Sequence, residues 1–192
     1  MAKFTEEFAP TEVSDVSLQF NGDEQEVLNF PCVGSLSGET VLKELIRLCG
    51  GSEVGKKVKP EKTDLTLSGH VPIEAFRKIY GLKNEGLKAG VYRYNTKSMG
   101  SEFTLTANVI DDFGDHVKLI AFPRVNSTSG LNFTVTNGQD EVAEVELTLS
   151  AYPDGPENDI YYEAFVDDVT DEEVKTSWHT AFNYELVEAV AP

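Results

Sequence analysis

The sequence is poor in cysteine, in long apolar runs and, towards its C-terminus, in basic residues. Its two cysteines, Cys32 and Cys49, cannot build a disulfide framework, and we expect them to be buried free thiols in a reducing compartment. The longest apolar runs span only a few residues, so no membrane-spanning helix is predicted. The first residues lack a basic segment followed by an apolar one, and export through a signal peptide is not expected.

The sequence also lacks a convincing catalytic or metal-binding motif. The stretch from Gly50 to Lys57 approaches a phosphate-binding loop, but Lys57 stands where a serine or threonine would hold magnesium. The three histidines (His70, His116 and His179) share no ligand spacing. The acidic run at 167–173 lacks the glycine turn and the spaced glutamate of a calcium loop. We therefore predict no enzyme activity, no cofactor and no metal.

Charge is the strongest compositional signal. The net charge of the 192 residues is −17, and it is unevenly distributed. Residues 1–31 contain seven acids and one lysine, residues 32–137 eleven acids and fourteen bases, and residues 138–192 fifteen acids and one base. Such an acidic surface cannot grip phosphate backbones, because duplex binding depends on cations that displace counterions. It is suited instead to solubility, to repulsion between copies, or to contact with a basic surface.

Hydrophobic periodicity predicts a mainly β protein. Period-two alternation marks strands at Thr11–Phe20, Val27–Phe30, Thr63–Gly69, Phe103–Val109, Val117–Phe122, Leu131–Thr136, Val142–Ser150 and Ile160–Val166, each with one buried face. A short helix is predicted from Pro72 to Gly81, with Ile73, Phe76, Ile79 and Tyr80 on the face that packs against a sheet. A capping box of Thr170 and Glu173 predicts a second helix as far as Trp178.

The segment Thr40–Cys49 is ambiguous. Ser37 is a possible N-cap, Gly50 and Gly51 can end a helix, and the apolar residues between them form a helical stripe. From the residues alone a helix is favoured over a strand. The following polar segment, about 50–62, is predicted to be a basic loop that is long enough to reach a neighbouring molecule.

The order of several motifs resembles the major tail tube proteins of long, non-contractile-tailed bacteriophages, especially those of Gram-positive bacteria. The residues that carry the resemblance are Leu65–Pro72, Lys78–Leu82, Lys88–Tyr94, Glu102–Ala107, Ala143–Leu149, Tyr152–Asp154, Tyr162–Ala164 and Glu172–Trp178. They are spread along residues 65–178, about three fifths of the chain. In that family the segment equivalent to 39–49 tends to be an extended strand, so the resemblance favours a strand there.

The resemblance implies one domain over 1–192, with an N-terminal arm (about 1–30), the basic loop (about 50–62) and an acidic C-terminal segment (about 138–192). The implied fold is a β-sandwich with a flanking helix, and copies would close into six-membered rings with an inner β-barrel. Stacked rings would form the virion tail tube that guides DNA during ejection without binding it specifically. Assembly would take place in the host cytoplasm, away from membranes, with tape-measure, tail terminator and tail-tip proteins as partners.

Two sets of residues are candidates for roles in such a tube. Glu144 and Glu146 share the polar face of one predicted strand and are candidates for the lumen, although an outward orientation fits the sequence equally well. Lumenal carboxylates would repel phosphates over about 8 Å at physiological salt. The lysines of the basic loop are candidates for bridging successive rings, and their exchange for glutamate should block stacking: Lys56, Lys57, Lys59 and Lys62.

Two other functions compete with the tail tube. The first is a monomeric β-sandwich module that decorates a virion or binds a carbohydrate, for which Tyr92, Tyr94, Tyr161 and Tyr162 would supply aromatic contacts. The second is a secretion-system relative of the same tube fold. Self-association separates the tube subunit from the monomeric module.

Overall fold

The computed structural model describes residues 7–20, 26–111, 116–133 and 144–189. Eight strands and three short helices lie within these residues. They are β1 (Pro10–Phe20), β2 (Glu26–Asn29), β3 (Val33–Cys49), β4 (Ser52–Gly69), α1 (Ile73–Tyr80), β5 (Phe103–Asp111), β6 (Val117–Ser127), β7 (Val145–Ala151), β8 (Tyr162–Phe165), α2 (Glu172–Ser177) and α3 (Tyr184–Val187).

The strands form one antiparallel sheet with the order β2-β1-β5-β6-β7-β4-β3. The sheet changes direction at β6. One edge of β6 pairs with β5, whereas residues 118–121 and 125–127 pair with β8 and β7 respectively. The sheet is therefore divided into two halves, β2-β1-β5-β6-β8 and β7-β4-β3, which are joined at the end of β6.

The two halves pack face to face across one hydrophobic core. On β7, Leu147 and Leu149 are fully buried, while Glu146 and Thr148 are exposed. The two leucines pair with Leu67 and Leu65 of β4. The same core contains residues of the other half: Val16, Leu18, Phe20, Phe103, Leu105, Ile120 and Phe122. The predicted β-sandwich is confirmed, because residues of both halves share one hydrophobic core.

Helix α1 closes one end of this core. It begins after Pro72, which is the N-cap rather than the first helical residue, and ends at Gly81 in the left-handed region (φ 66°). Ala75, Ile79 and Tyr80 are buried, and Phe76 packs on the same core, as predicted. The prediction for Ile73 is wrong: its side chain, at the first residue of the helix, is 64% exposed.

The C-terminal segment forms a further layer on the outer face of the β6 half. Trp178 and Phe182 pack against Leu119 and Ala121, which point away from the main core. The Trp178 indole N–H donates to the Ile120 carbonyl at 3.1 Å, so the buried ring keeps its hydrogen bond. Helix α2 is capped by Asp171, whose carboxylate accepts from the Glu173 N–H, and not by Thr170 as predicted.

Several other sequence expectations have a definite outcome. Cys32 and Cys49 are free, as expected, but both are exposed, so the expectation that they are buried is wrong. Residues 131–133 are not part of a strand, and the rest of the strand predicted at 131–136 lies outside the described residues. Residues 10–20 and 26–29 of the predicted N-terminal arm form β1 and β2.

Candidate assembly surface

Strands β3 and β4 form a hairpin that extends far beyond the sandwich. They pair from Val33 with Gly69 as far as Cys49 with Ser52, whereas β7 pairs with β4 only over 63–69. Residues 41–62 are consequently a two-stranded ribbon, which we call the distal hairpin. The helix favoured for 40–49 by the residues alone and the loop predicted at 50–62 are both wrong, and the strand favoured by the resemblance is correct.

The turn of the hairpin explains how these residues reverse direction. Gly50 and Gly51 both have positive φ, at 59° and 82°. Two-residue turns of this kind match the right-handed twist of paired strands, and glycine occupies them without steric cost. The glycine pair that could end a helix in the sequence instead joins two strands.

The distal hairpin exposes an unusual amount of apolar surface. Six large apolar side chains are between 48% and 64% exposed: Leu42, Leu45, Ile46, Leu48, Val54 and Val58. Clustered apolar side chains on a protruding element mark an interaction surface far more often than a free one, since their exposure to water is unfavourable.

The strand pairing sorts these side chains onto two faces. Paired residues share a face, and neighbours along a strand alternate between faces. Leu42, Ile46 and Leu48 alternate with their neighbours along β3 and therefore lie on one face. Pro60 and Val58 lie on the same face, because Pro60 pairs with Leu42 and Val58 pairs with Glu44. Val54 joins them because the register shift between Arg47 and Leu48 places the extra residue beside Leu48. We call this surface the apolar face. An ion pair between Lys56 and Glu44, at 2.5 Å, is also part of it.

The opposite surface is strongly basic. It contains Lys43, Arg47, Lys57 and Lys59, with Leu45 between them, and we call it the basic face. Lys43 lies 3.5 Å from Glu61 and both side chains are about half exposed, so this ion pair stabilises the hairpin little. Nearer the sandwich, Lys62 bonds the Asp64 carboxylate at 2.7 Å. This bond raises the pKa of Lys62 and, together with a bond from Ser150, lowers the pKa of Asp64.

The apolar face is followed by a cleft at the mouth of the sandwich. Gly38, Thr40 and Thr63 lie on the same side of the hairpin as the core residues Leu65 and Leu67. The cleft has a volume of about 330 Å³, and its apolar lining is Leu36, Leu65, Val109, Ile120, Phe122 and Tyr161. The apolar face of the hairpin and the cleft thus lie on the same side of the sheet, separated by Thr40 and Thr63.

The edges of the distal hairpin are also free within the part of the chain that the structure describes. β3 is the last strand of its half, and β4 has no partner on its other side before Thr63. Every second backbone N–H and C=O along such an edge is available to another strand. A lone two-stranded ribbon is at best marginally stable in water. The distal hairpin is therefore an incomplete piece of sheet.

The predicted acidic residues lie on the same side of the sheet as the basic face. Glu146 pairs with Ser68, beside the pairs of Thr66 with Thr148 and Asp64 with Ser150. These side chains alternate with the buried leucines and so point away from the core. Glu144 is exposed one residue before β7 begins. The predicted acids and the predicted lysines thus belong to one surface, with Lys56 as the exception.

The tyrosines of the alternative binding function have contacts of their own. Tyr92 lies under the Arg77 guanidinium, 3.7 Å from its ring centroid. Tyr161 packs on Phe122, and its hydroxyl donates to Glu163 at 2.8 Å. Tyr162 packs on Phe182 and is half-buried. Tyr94 is 47% exposed.

The histidines lie in three separate environments. His179 bridges Thr106 and Asn108, at 2.9 and 2.8 Å, and burial lowers its pKa although Asp15 opposes the change. His116 lies 2.8 Å from an Asp167 oxygen, and His70 is exposed. In the described residues, no group of three or more histidine, cysteine or acidic side chains is placed to hold a metal ion.

Sequence analysis missed the apolar face. Leu42, Ile46 and Leu48 fit a helical stripe as well as a strand, and only β4 offered a clear signal. In β4, Val54, Lys56, Val58 and Pro60 alternate with Gly55, Lys57 and Lys59. Such alternation next to a Gly-Gly pair is typical of a hairpin.

No family model matches this chain, and no curated protein matches it. Two solved structures are similar to it in shape. One is the anti-feeding prophage cap, a tube terminating cap, with a TM-score of 0.45 and 17% identity over 85% of this chain and 99% of that one. The other is a chain of the sheath-tube complex of an extracellular contractile injection system, with a TM-score of 0.46 and 20% identity over 82% and 93%. Neither is described as a protein of a non-contractile phage.

In the described residues, the helices are too short to cross a membrane.

Proposed function

We propose that this chain is a structural subunit of a tail-tube-like assembly, in which copies join through their distal hairpins. The observation that carries the proposal is an amphipathic, two-stranded ribbon that has apolar surface and two free edges. Each copy offers both a ribbon to be completed and strand edges that can complete it. A repeated contact of this kind generates a ring if its rotation closes.

The apolar face can contribute a substantial part of the free energy of association. Full burial of one Val, Leu or Ile side chain stabilises by about 1.5–3 kcal/mol. Because these side chains are about half exposed, covering five of them would contribute roughly 5 kcal/mol per contact. Backbone hydrogen bonds along the paired edges would add to this, and ring closure would use every edge.

Charge favours a second copy of this chain as the partner. Residues 40–62 contain six basic and three acidic residues, whereas the rest of the chain contains ten basic and thirty acidic ones. The hairpin of one copy is therefore attracted to the body of another, while the bodies repel one another. This asymmetry supports association through the hairpin in preference to other surfaces.

The finer expectations come from the sequence resemblance. They are hexameric rings, stacking into a tube that conducts DNA, and a place in the tail of a non-contractile phage with tape-measure, terminator and tail-tip partners. Neither a catalytic role nor a cofactor is part of the proposal.

Negative-stain electron microscopy of the concentrated protein, together with sedimentation velocity, tests the proposal. Rings or hollow tubes of a single diameter are expected. The matched variants are Ile46→Lys, on the apolar face, and Ile73→Lys, an equally exposed isoleucine on α1. Only Ile46→Lys should abolish assembly. A chain that stays monomeric at high concentration, also in the presence of preformed tube ends, would favour the decoration module.

A further inference from the structure

We infer that the basic face of the distal hairpin lines the central channel of the ring, while the apolar face is covered by a second copy. The channel would then carry a cationic band next to an acidic one. This inference rests on the proposed ring assembly. It adds which side of the hairpin points inward, and it changes the expected charge of the channel.

The first step is to establish on which side of the β7-β4-β3 half the other layers of the protein lie. Leu65, Leu67, Leu147 and Leu149 point to the side on which the other half of the sandwich packs. The layer formed by Trp178 and Phe182 lies beyond that half. Packed sheets are about 10 Å apart, so two further layers lie on this side, whereas Glu146 and Thr148 on the other side are exposed. When subunits of this shape close into a ring, the side that has no further layers faces inward, because the inside of a ring has the smaller circumference.

The second step is the chemistry of the two sides. The face that points away from the sandwich is mainly polar, although Val41 and Leu45 also belong to it. Its polar residues are Ser35, Ser37, Glu39, Asp64, Thr66, Ser68, Glu146 and Thr148 near the body, then Lys43, Arg47, Lys57 and Lys59 on the hairpin. A water-filled barrel has a polar interior. The apolar face points to the side of the sandwich, where the body of an adjacent copy would cover it.

The third step is the separation between the two charged bands. Strands rise about 3.3 Å per residue, so Glu39 and Arg47 are roughly 26 Å apart along β3. The screening length is about 8 Å at physiological salt. Lys62 bonds Asp64, and Lys43 lies 3.5 Å from Glu61, so charges are paired where the bands meet. Groups as far apart as Glu39 and Arg47 do not cancel, and each band keeps its own potential away from that boundary. Six copies would place about twenty-four cations in one band, counting four from each hairpin.

The test labels single cysteines in assembled tubes. The two native cysteines, Cys32 and Cys49, are exposed and are first replaced by serine. Single cysteines are then introduced as Leu45→Cys on the basic face, Ile46→Cys on the apolar face and Thr148→Cys beside Glu146. Leu45→Cys leaves every lysine and arginine in place. Each variant is mixed at one part in ten with the cysteine-free chain, so that assembly does not depend on the variant.

Anionic and cationic methanethiosulfonate reagents of similar size are applied to tubes and to unassembled chains. Assembly should slow labelling of Ile46→Cys at least tenfold and leave Leu45→Cys reactive. In tubes, Leu45→Cys should prefer the anionic reagent about tenfold over the cationic one, and the preference should shrink in 1 M salt. Thr148→Cys should show the reverse preference.

The outcomes separate this inference from the proposed function. If no tubes form from the cysteine-free chain or from the wild-type protein, the proposed function fails, and the inference with it. Tubes in which Leu45→Cys is protected and Ile46→Cys is reactive overturn the inference alone. Equal rates of both reagents at Leu45→Cys would also overturn it, since a cationic band would then be absent.

Discussion

Two substitutions on the apolar face should weaken assembly without changing the fold. Ile46 and Val58 are 52% and 49% exposed in the free chain, so each still has about half of its side chain to bury. Replacing both with threonine keeps the branched shape that strands favour and removes methyl groups from the contact. The loss is about 1 kcal/mol per side chain, or roughly 2 kcal/mol per contact between copies.

A loss of this size raises the critical concentration for assembly about thirtyfold, because 1.4 kcal/mol corresponds to a factor of ten. The assay is pelleting across a dilution series, with the supernatant concentration as the readout. Ile73→Thr is the control, since this isoleucine is also exposed but lies on α1. The midpoint of thermal unfolding of the unassembled chains should agree among all three proteins. An unchanged critical concentration for the double variant would refute the role of the apolar face.

Three other predictions concern the core, the buried histidine and the lysines. Leu147→Ala should lower the free energy of unfolding by 2–5 kcal/mol in a denaturant titration, because Leu147 is fully buried between the two halves; a loss below 1 kcal/mol would contradict the proposed packing. Burial lowers the pKa of His179, so below about pH 6.5 the unfolded chain binds a proton at this histidine that the folded chain does not bind. The free energy of unfolding should therefore fall as the pH decreases. Comparison with His179→Gln isolates this term, and parallel pH profiles would rule it out. Lys56→Glu should weaken the hairpin, because the substituted side chain and Glu44 would then be two adjacent acids, whereas Lys57→Glu should weaken assembly less and reverse part of the channel charge; equal assembly defects would argue against two distinct faces.

The sandwich was predictable because apolar and polar residues alternate along its strands, although β1, β5 and β6 bury both faces in part. In β5 and β7 the alternation is nearly complete, as between Leu147 and Thr148, and no other local structure has that period. Helix α1 was predictable from Pro72 and Gly81, but Ile73 was not, since a helix of two turns allows more than one choice of buried face.

The distal hairpin was hard to predict for a physical reason. Its strands lie outside the core, so both faces are wetted in the single chain and polarity does not separate strand from loop. Lys57 and Lys59 suggest a loop only if each strand is assumed to pack against residues of its own molecule. Cys49, at the end of β3 in the distal hairpin, was misassigned for the same reason.

The exposure of the distal hairpin has a consequence for how assembly begins. A two-stranded hairpin beyond any third strand is only marginally ordered in water, so the first copies to meet must fix their hairpins without the support of a complete barrel. A copy that adds to an existing end meets a template that is already fixed. Growth should therefore show a lag that preformed ends abolish, and an initiating complex would act by supplying the first ordered edge.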